Sequence, residues 1–476
     1  MIKERKGRKP TTIEAVIAMS AVIVGILFSI STALVLETAL VLGCIIATVF
    51  GIYLGYSWDE IQDGMIAGIK NGLGAALILI CIGLVVGTWI LGGTIQTMIY
   101  YGLNILTPGI FLPAAFLLSG ITSLLIGSSF GTLATMGIVL MGVSEGLGMP
   151  RELAAGAVLA GAIFGDKISP MSDSTNLTSA VSGTDLFKHI KSMLYVSGPA
   201  ALISVILYAI LGNRYIAGGA TVDTETVQAI LSTLQSNFNI TALTLVPPIV
   251  VLVLSIMKKP AVPTLIASFV LASITAVLIQ GVGIEQIIRV AGKGYSADTG
   301  LAILDRLLSQ GGVASMMGTV GYIMIGTAMG GILERIGVLN TLLESMMKVI
   351  KTPKDLIIAT LISGYVVLIA TGEMMVSIIL PGRTIGPAYD DLKVDRSVLS
   401  RTLESSATLG CGILPWGVVS VYARNVLGVG MGYIPYAFLG FIAPIFVIIF
   451  VLTNFATFPA DEVEIAKNKA KLQANN

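Results

Sequence analysis

Residues 165–183, GDKISPMSDSTNLTSAVSG, set the carboxylates Asp166 and Asp173 among Ser169, Ser172, Ser174, Thr175, Asn176 and Thr178. An apolar run, ELAAGAVLAGAIF, leads into Gly165, and a proline follows at position 170. Glycine and proline together break a helix there and free backbone carbonyls and amides. Carboxylate, hydroxyl and carbonyl oxygens in one place are what coordination of a hard cation requires. The bland alternative is a polar surface loop in which Asp166 pairs with Lys167 or Arg151. Against it, the preceding segment is apolar and the following NLTSAV stays semi-apolar. A carboxylate placed within a membrane is costly and so marks function.

Three further stretches carry polarity in apolar surroundings. RTLESSATLGCGILPWGVVSVY (401–422) holds Glu404, Ser405, Ser406 and Thr408 before a glycine-rich break and Pro415. Helical hydroxyls of this kind can instead bond back to the preceding turn. IGSSFGTLAT (126–135) carries Ser128, Ser129 and Thr132, and LIATGEMMVSIILPG (368–382) carries Glu373. Deep in an apolar run, Glu373 must be neutral, paired or solvated by a cavity, and Arg383 or Arg335 would serve as an ion-pair partner. Glycine pairs at 92–93 and 330–331 read as sites of close helix packing, with Thr88, Thr94 and Thr327 beside them able to face a cavity.

The elements that position these residues are membrane helices. The chain is 55% hydrophobic and 12% charged, with a mean hydropathy of +0.91, whereas soluble chains are roughly a quarter charged. Apolar runs near the roughly 20 residues that span a bilayer recur along its length. They are too long and continuous for a barrel. Clear spans are centred in 13–33, 39–56, 72–99, 193–212, 241–256, 262–280, 313–333 and 432–454. Two longer regions, 110–190 and 355–428, are apolar but interrupted. The fold class is therefore all-α and polytopic. A net charge of +1 implies no nucleic-acid partner. Three cysteines, Cys44, Cys81 and Cys411, read as buried small hydrophobes, and the lone His189 in FKHIK as an interfacial loop residue. With one histidine and no HExxH, GxSxG or GxxxxGK[ST] motif, an intramembrane enzyme is disfavoured, and no cofactor is expected.

The order of features repeats. Each half has two spans, an amphipathic stretch (WDEIQDGMIAGIKNG and IEQIIRVAGKGY), a glycine-paired span, a broken region and a closing span. An offset of 245 pairs Arg151 with Arg396, Pro170 with Pro415, Ser128 with Glu373 and Thr132 with Ser377. Basic segments mark the cytoplasmic side. FKHIK, Lys258–Lys259, KVIKTPK and the tail all fall inside if the N-terminus does and each half crosses an odd number of times. The expected layout is a cytoplasmic segment 1–12, a first repeat 13–213, an extracytoplasmic connector 214–240, a second repeat 241–455 and a cytoplasmic tail 456–476. The repeats are inverted, each with about five crossings, a re-entrant hairpin and a discontinuous helix. Such repeats characterise secondary transporters, whose sites lie where broken helices from the two halves meet.

GTWILGGTIQTMIYYGL, GDKISPMSDSTNLTSAVSGTDLFKHIKSMLY and RTLESSATLGCGILPWGVVSVYARNVLGV resemble the NhaC family of sodium/proton antiporters, within the ion transporter superfamily. The likeness runs from about residue 70 to 440. It implies exchange driven by ion gradients through an inverted-repeat fold with two central hairpins. The family also includes malate/lactate exchangers and amino-acid carriers. One departure is visible: the family pattern Glu-Asp-Ser-Gly-Thr reads Glu404-Ser405-Ser406-Ala407-Thr408 here, so an expected carboxylate is a hydroxyl.

The resulting expectation is a multi-pass plasma or inner-membrane Na+/H+ antiporter working by alternating access. Asp173, Ser172, Thr175 and Asn176, with Ser405 and Thr408, are the expected sodium ligands. Asp166, Asp173, Glu373 and Glu404 are the expected proton carriers, and Thr88, Thr94, Ser128, Ser129, Thr132 and Ser406 the expected cavity lining. Ion binding in an oxygen cage lowers a carboxylate pKa and an empty desolvated site raises it, so one carboxylate can trade sodium for a proton. The rival is a sodium-coupled carrier of a small organic anion or amino acid, held at hairpin N-termini. A channel suits paired inverted breaks less well. The bilayer, Na+ and H+ are the partners, and a homodimer is compatible with this reading.

Overall fold

The computed structural model describes residues 7–32, 36–217, 224–257, 259–462 and 465–466. Basic residues within 1–6, connector residues 218–223, Lys258 and the tail lysines Lys467, Lys469 and Lys471 lie outside them. Within the described residues the chain is helical. The first half comprises α1 (Thr12–Ser31), α2 (Leu36–Tyr53), α3 (Trp58–Leu91), α4 (Thr94–Ile105), α5 (Pro108–Ile126), α6 (Ser129–Thr132), α7 (Ile138–Gly146), α8 (Arg151–Lys167), α9 (Asp173–Ser182) and α10 (Leu186–Ala217). A π turn, Leu133–Gly137, joins α6 to α7 without a break. The second half comprises α11 (Thr224–Asn237), α12 (Val246–Ile256), α13 (Ala261–Leu278), α14 (Ile284–Lys293), α15 (Ala302–Leu308), α16 (Val313–Arg335), α17 (Val338–Met347), α18 (Pro353–Thr371), α19 (Met374–Asp391), α20 (Arg396–Ile413), α21 (Val418–Leu427) and α22 (Phe438–Thr453). Among the described residues seven helices are long and apolar enough to cross a bilayer, or nine if each bent pair counts as one span.

Local sequence explains the boundaries. Capping boxes start α1 (Thr11 with Glu14), α3 (Ser57 with Glu60) and α18 (Thr352 with Asp355), satisfying backbone amides that a helix start leaves free. α5 and α18 open with proline at their first position and stop at a left-handed glycine, Gly127 and Gly372. Their φ values of 71° and 66° lie where an L side chain is strained. One expectation is corrected here: WDEIQDGMIAGIKNG is no separate amphipathic element, because Ser57 caps a helix running unbroken from Trp58 to Leu91. At the pair 92–93 the two glycines divide the work: Gly92 packs the end of α3 onto Ala272 and Thr275 of α13, the close helix contact expected, and Gly93 at φ 79° ends the span.

Two kinds of glycine packing set the chain directions. Gly64 lies against Gly331 and Arg335, Gly68 against Thr327, and Gly83 against Gly312, so α3 and α16 run antiparallel in the most extensive helix pair of the fold. A Cβ at Gly68 would overlap the Thr327 carbonyl. Such close approach supplies the dispersion contacts that hold helices together where the hydrophobic effect between them is absent. By contrast, Gly161 lies on Phe116, and Gly165 on Gly120 and Leu124, so α5 and α8 run parallel. The α6–α7 segment between them must double back. Residues 108–146 are therefore a hairpin with its tip at Gly127–Ser128, and α8, a short break and α9 form one discontinuous helix. In the second half Gly364 meets Ser406 and Gly410 meets Leu368, giving the same parallel arrangement of α18 and α20. There the hairpin tip is Gly372–Glu373, and α20 continues into α21 with a bend of 40°.

The interrupted regions of the two halves share their pattern of starts and stops. Pro108 and Pro353, Gly127 and Gly372, Asp173 and Val418, and the left-handed caps Gly183 and Gly428 each stand 245 residues apart at the same structural point. Large apolar side chains exposed on α1, α2, α13 and α22, among them Val24, Val49, Ile266 and Ile445, form the outer surface that contact with lipid requires.

Candidate functional site

The two hairpin tips and the two helix breaks meet in the interior. In the first half, the Ser129 amide donates to Asp166 Oδ2 at 3.1 Å and Ser169 Oγ to the Leu124 carbonyl at 2.7 Å, which fastens tip to break. In the second, the Val418 amide donates to the Gly372 carbonyl at 2.8 Å. Trp416 Nε1 donates to the Ile369 carbonyl at 2.9 Å.

Most carbonyls freed by the first break are taken up by the motif itself. Thr175 Oγ1 lies 3.2 Å from both the Asp166 and Lys167 carbonyls. Asn176 Nδ2 donates to the carbonyls of Pro170 (3.0 Å) and Ser172 (2.8 Å). What the break leaves open is carboxylate. Asp173 heads α9 with no hydrogen bond to its side chain among the described residues, while Asp166 is held by the Ser129 amide with the Ser129 and Ser172 hydroxyls beside it.

A cavity of about 190 Å³ lies between these parts. Its walls are Asn71, Gly74, Ala75 and Ile78 of α3, the first tip with Ser128 and Phe130, Asp166, Ser172–Ser174, Glu373–Met375 and Val418–Val419. Four helix N-termini, those of α6, α9, α19 and α21, end on it. Their partial positive charge offsets part of the negative charge that the three carboxylates carry when ionised. Glu373 is the N-cap of α19: its Oε2 accepts from the Val376 amide at 2.8 Å, as Ser128 Oγ accepts from Gly131 at 3.2 Å in the other tip. The ion pair with Arg335 or Arg383 that the sequence allowed is absent among the described residues; a backbone amide takes its place. The carboxylates surround the space without converging, and among the described residues no three His, Cys, Asp or Glu side chains cluster closely enough to hold a metal ion by themselves. A cation held here would need neutral oxygens or water alongside a carboxylate.

A second cavity, about 380 Å³, adjoins the first and shares Ile78, Gly127, Ser128 and Asp173 with it. It is lined further by Asn176 and by Ser255, Lys259 and Thr264 of the α12–α13 region.

The sequence-derived candidates divide accordingly. Asp166, Asp173, Ser172, Ser128 and Glu373 line the smaller cavity and Asn176 the larger. Thr175 and Ser129 sit directly behind the break and tip that they stabilise. The remaining candidates are turned elsewhere. Glu404 is fully buried in an ion pair with Lys167 at 2.9 Å, its other contacts being Thr178 (2.8 Å) and Thr408 (2.5 Å). Ser405 donates to the Arg401 carbonyl at 2.7 Å, Ser406 to Leu403 at 3.0 Å and Thr132 to Ser128 at 2.9 Å, each a bond back along its own helix. Thr88 does the same to Leu84 at 2.8 Å, and Thr94 donates to the Thr244 carbonyl at 2.7 Å. Asp166 is thus not partnered by Lys167; nor does Arg151 reach it, being paired with Glu145. His189 is no loop residue: it lies buried in the first turn of α10, with Nδ1 2.8 Å from Ser400 Oγ.

Two cavity-lining residues, and one lysine packed outside the cavities, escaped sequence reasoning. Asn71 is a lone amide just before the apolar stretch of α3, a detectable signal. Lys167 stood within the motif but was read only as a partner for Asp166. Lys259 follows from no local pattern, since only tertiary packing brings the α12–α13 turn beside Asp173.

A model of the Na+/H+ antiporter family matches residues 6–176 and 161–455. A malate-2H+/Na+-lactate antiporter from Bacillus subtilis is 40% identical over 438 residues, 92% of this chain and 93% of the relative. The Na+/H+ antiporter NhaC of Alkalihalophilus pseudofirmus is 38% identical over 413 residues, 86% and 88% of the two chains. The arginine/ornithine antiporter ArcD of Halobacterium salinarum is 35% identical over 421 residues, 88% and 87%.

Proposed function

This chain belongs to the Na+/H+ antiporter family, and from that premise we propose that it is a secondary active transporter exchanging Na+ for H+ across the cell membrane by alternating access. The charge balance of the smaller cavity carries the reading. Three carboxylates share that cavity with four helix N-termini, so a bound cation and a bound proton are alternative ways of offsetting the negative charge there. Asp173 and Asp166 hold either Na+ or H+ but not both, and Glu373 supplies the third carboxylate from the opposite half. Competition for the same oxygens couples the two fluxes, with no catalytic step and no cofactor.

Residues 13–213 and 241–455 act as inverted repeats, each crossing five times in this reading: α1, α2, α3, the α8–α9 pair and α10, then α12, α13, α16, the α20–α21 pair and α22. The antiparallel α3–α16 pairing and the recurrence at 245 residues support it. Both termini lie in the cytoplasm and the connector 214–240 outside.

The test uses the purified full chain in proteoliposomes with a pH-sensitive dye inside. An imposed Na+ gradient should drive saturable proton movement in the opposite direction. Absence of Na+-dependent proton movement overturns the reading. The larger cavity favours a second one, exchange of a small organic anion or amino acid. Lys259 and Ser255 offer a carboxylate one cation and one hydroxyl beside Asp173, the Thr264 hydroxyl being donated to the Pro260 carbonyl, and two relatives carry such solutes in their names. Labelled lactate, malate or arginine uptake in the same vesicles separates the two.

A further inference from the structure

Lys167 follows Asp166 in the chain, yet its ammonium turns away from the cavity that Asp166 lines. It is fully buried and bonds Glu404 twice, at Oε2 (2.9 Å) and at the carbonyl (2.5 Å). Thr178 and Thr408 complete the two Glu404 oxygens at 2.8 and 2.5 Å. Neither Lys167 nor Glu404 lines either cavity. Buried ion pairs of this kind often add no stability over apolar residues of the same volume, so stability alone does not account for this one. A lysine is also a poor neighbour for a cation site. Its flexible stem carries a compact charge of the same sign as the transported ion.

We infer that Glu404 holds the Lys167 ammonium out of the cation cavity, which keeps Asp166 available to the transported ion. Glu404 is then a positioning residue, not a proton carrier. This rests on the Na+/H+ antiport reading. Without its carboxylate partner, the Lys167 charge competes with Na+ for Asp166, either by swinging toward it or through space. Replacing Glu404 alone should therefore weaken Na+ binding, and neutralising Lys167 as well should restore it. A proton carrier would behave oppositely, because the double replacement would leave it missing.

The measurement is the half-saturating Na+ concentration for proton movement in proteoliposomes, for the full-length wild type, E404Q and K167M/E404Q. E404Q should raise it about tenfold or more, the effect of an uncompensated charge nearby in a medium of intermediate dielectric. K167M/E404Q should return it to within about threefold of wild type, less than 1 kcal/mol. Half-saturation does not depend on how much protein folds, so a merely structural loss would lower the rate and leave it unmoved. If E404Q does not insert, the double variant decides alone. An inactive but folded double variant, or E404Q with wild-type half-saturation, overturns the inference while antiport stands. A wild type without Na+-dependent proton movement overturns both.

Discussion

Replacing Asp173 with Asn is the cleanest probe of the cavity, because no contact within the protein is lost with the charge. The side chain accepts no hydrogen bond among the described residues, and asparagine has almost the same shape. On the stability side, Asp173 is the first residue of α9, and a carboxylate at a helix start contributes about 0.3–1 kcal/mol. Thermal unfolding of purified protein should therefore shift by a few degrees at most. On the binding side, a unit charge about 4 Å from a cation is worth about 4 kcal/mol at an effective dielectric of 20. Asp173 opens on both cavities and is partly solvated, so we discount that to about 2 kcal/mol, or about 30-fold in affinity. The half-saturating Na+ concentration in proteoliposomes should rise by at least this factor, with maximal rate reported per folded protein. A variant that folds and saturates with Na+ within about threefold of wild type would falsify the placement of the cation at this cavity.

Glu373→Ser separates capping from charge: serine retains an N-cap as good as that of the first tip at Ser128, so unfolding should move by less than about 1 kcal/mol while Na+ affinity falls. Equal Na+ affinity in the variant would remove Glu373 from the site. Gly372→Ala should destabilise by about 1–2 kcal/mol from its left-handed φ alone, and its Cβ would meet the Trp416 carbonyl at 2.7 Å. Gly318→Ala, inside α16 with nothing within 4 Å, is the control and should raise stability by about 0.5–1 kcal/mol through alanine's helix preference, with exchange unchanged. Gly68→Val places a branched side chain on the Thr327 carbonyl and should cost about 1–3 kcal/mol in overpacking. Circular dichroism melts in detergent check this, and a melt as high as wild type would mean that the α3–α16 contact gives way without cost.

Which residues break helices was readable along the chain, because glycine, proline and capping residues act on their immediate neighbours. The break around Pro170 and the Ser128–Glu373 correspondence were legible in this way and recur in the structure, where both residues cap the helix after a hairpin tip. Membership of the membrane class was equally plain, since the bilayer demands long apolar helices wherever the chain crosses it.

The hairpin and the discontinuous crossing, in contrast, could not be told apart from sequence. Both read as apolar helix, break, apolar helix, and only the parallel packing of α5 on α8 and α18 on α20 assigns them. The direction of each side chain was likewise a tertiary matter. Ser405, Ser406, Thr88 and Thr132 bond back along their own helices, a choice that a hydroxyl makes equally well in any apolar stretch. Glu404 meets Lys167 across 237 residues of chain, and Lys259 reaches the neighbourhood of Asp173 only because α12 and α13 pack against the first hairpin. The sequence alone determined where polarity would have to be justified inside the membrane. The tertiary structure decided which carboxylates face the cavity and which are neutralised, because that depends on the rotation of each helix against partners far away in the chain.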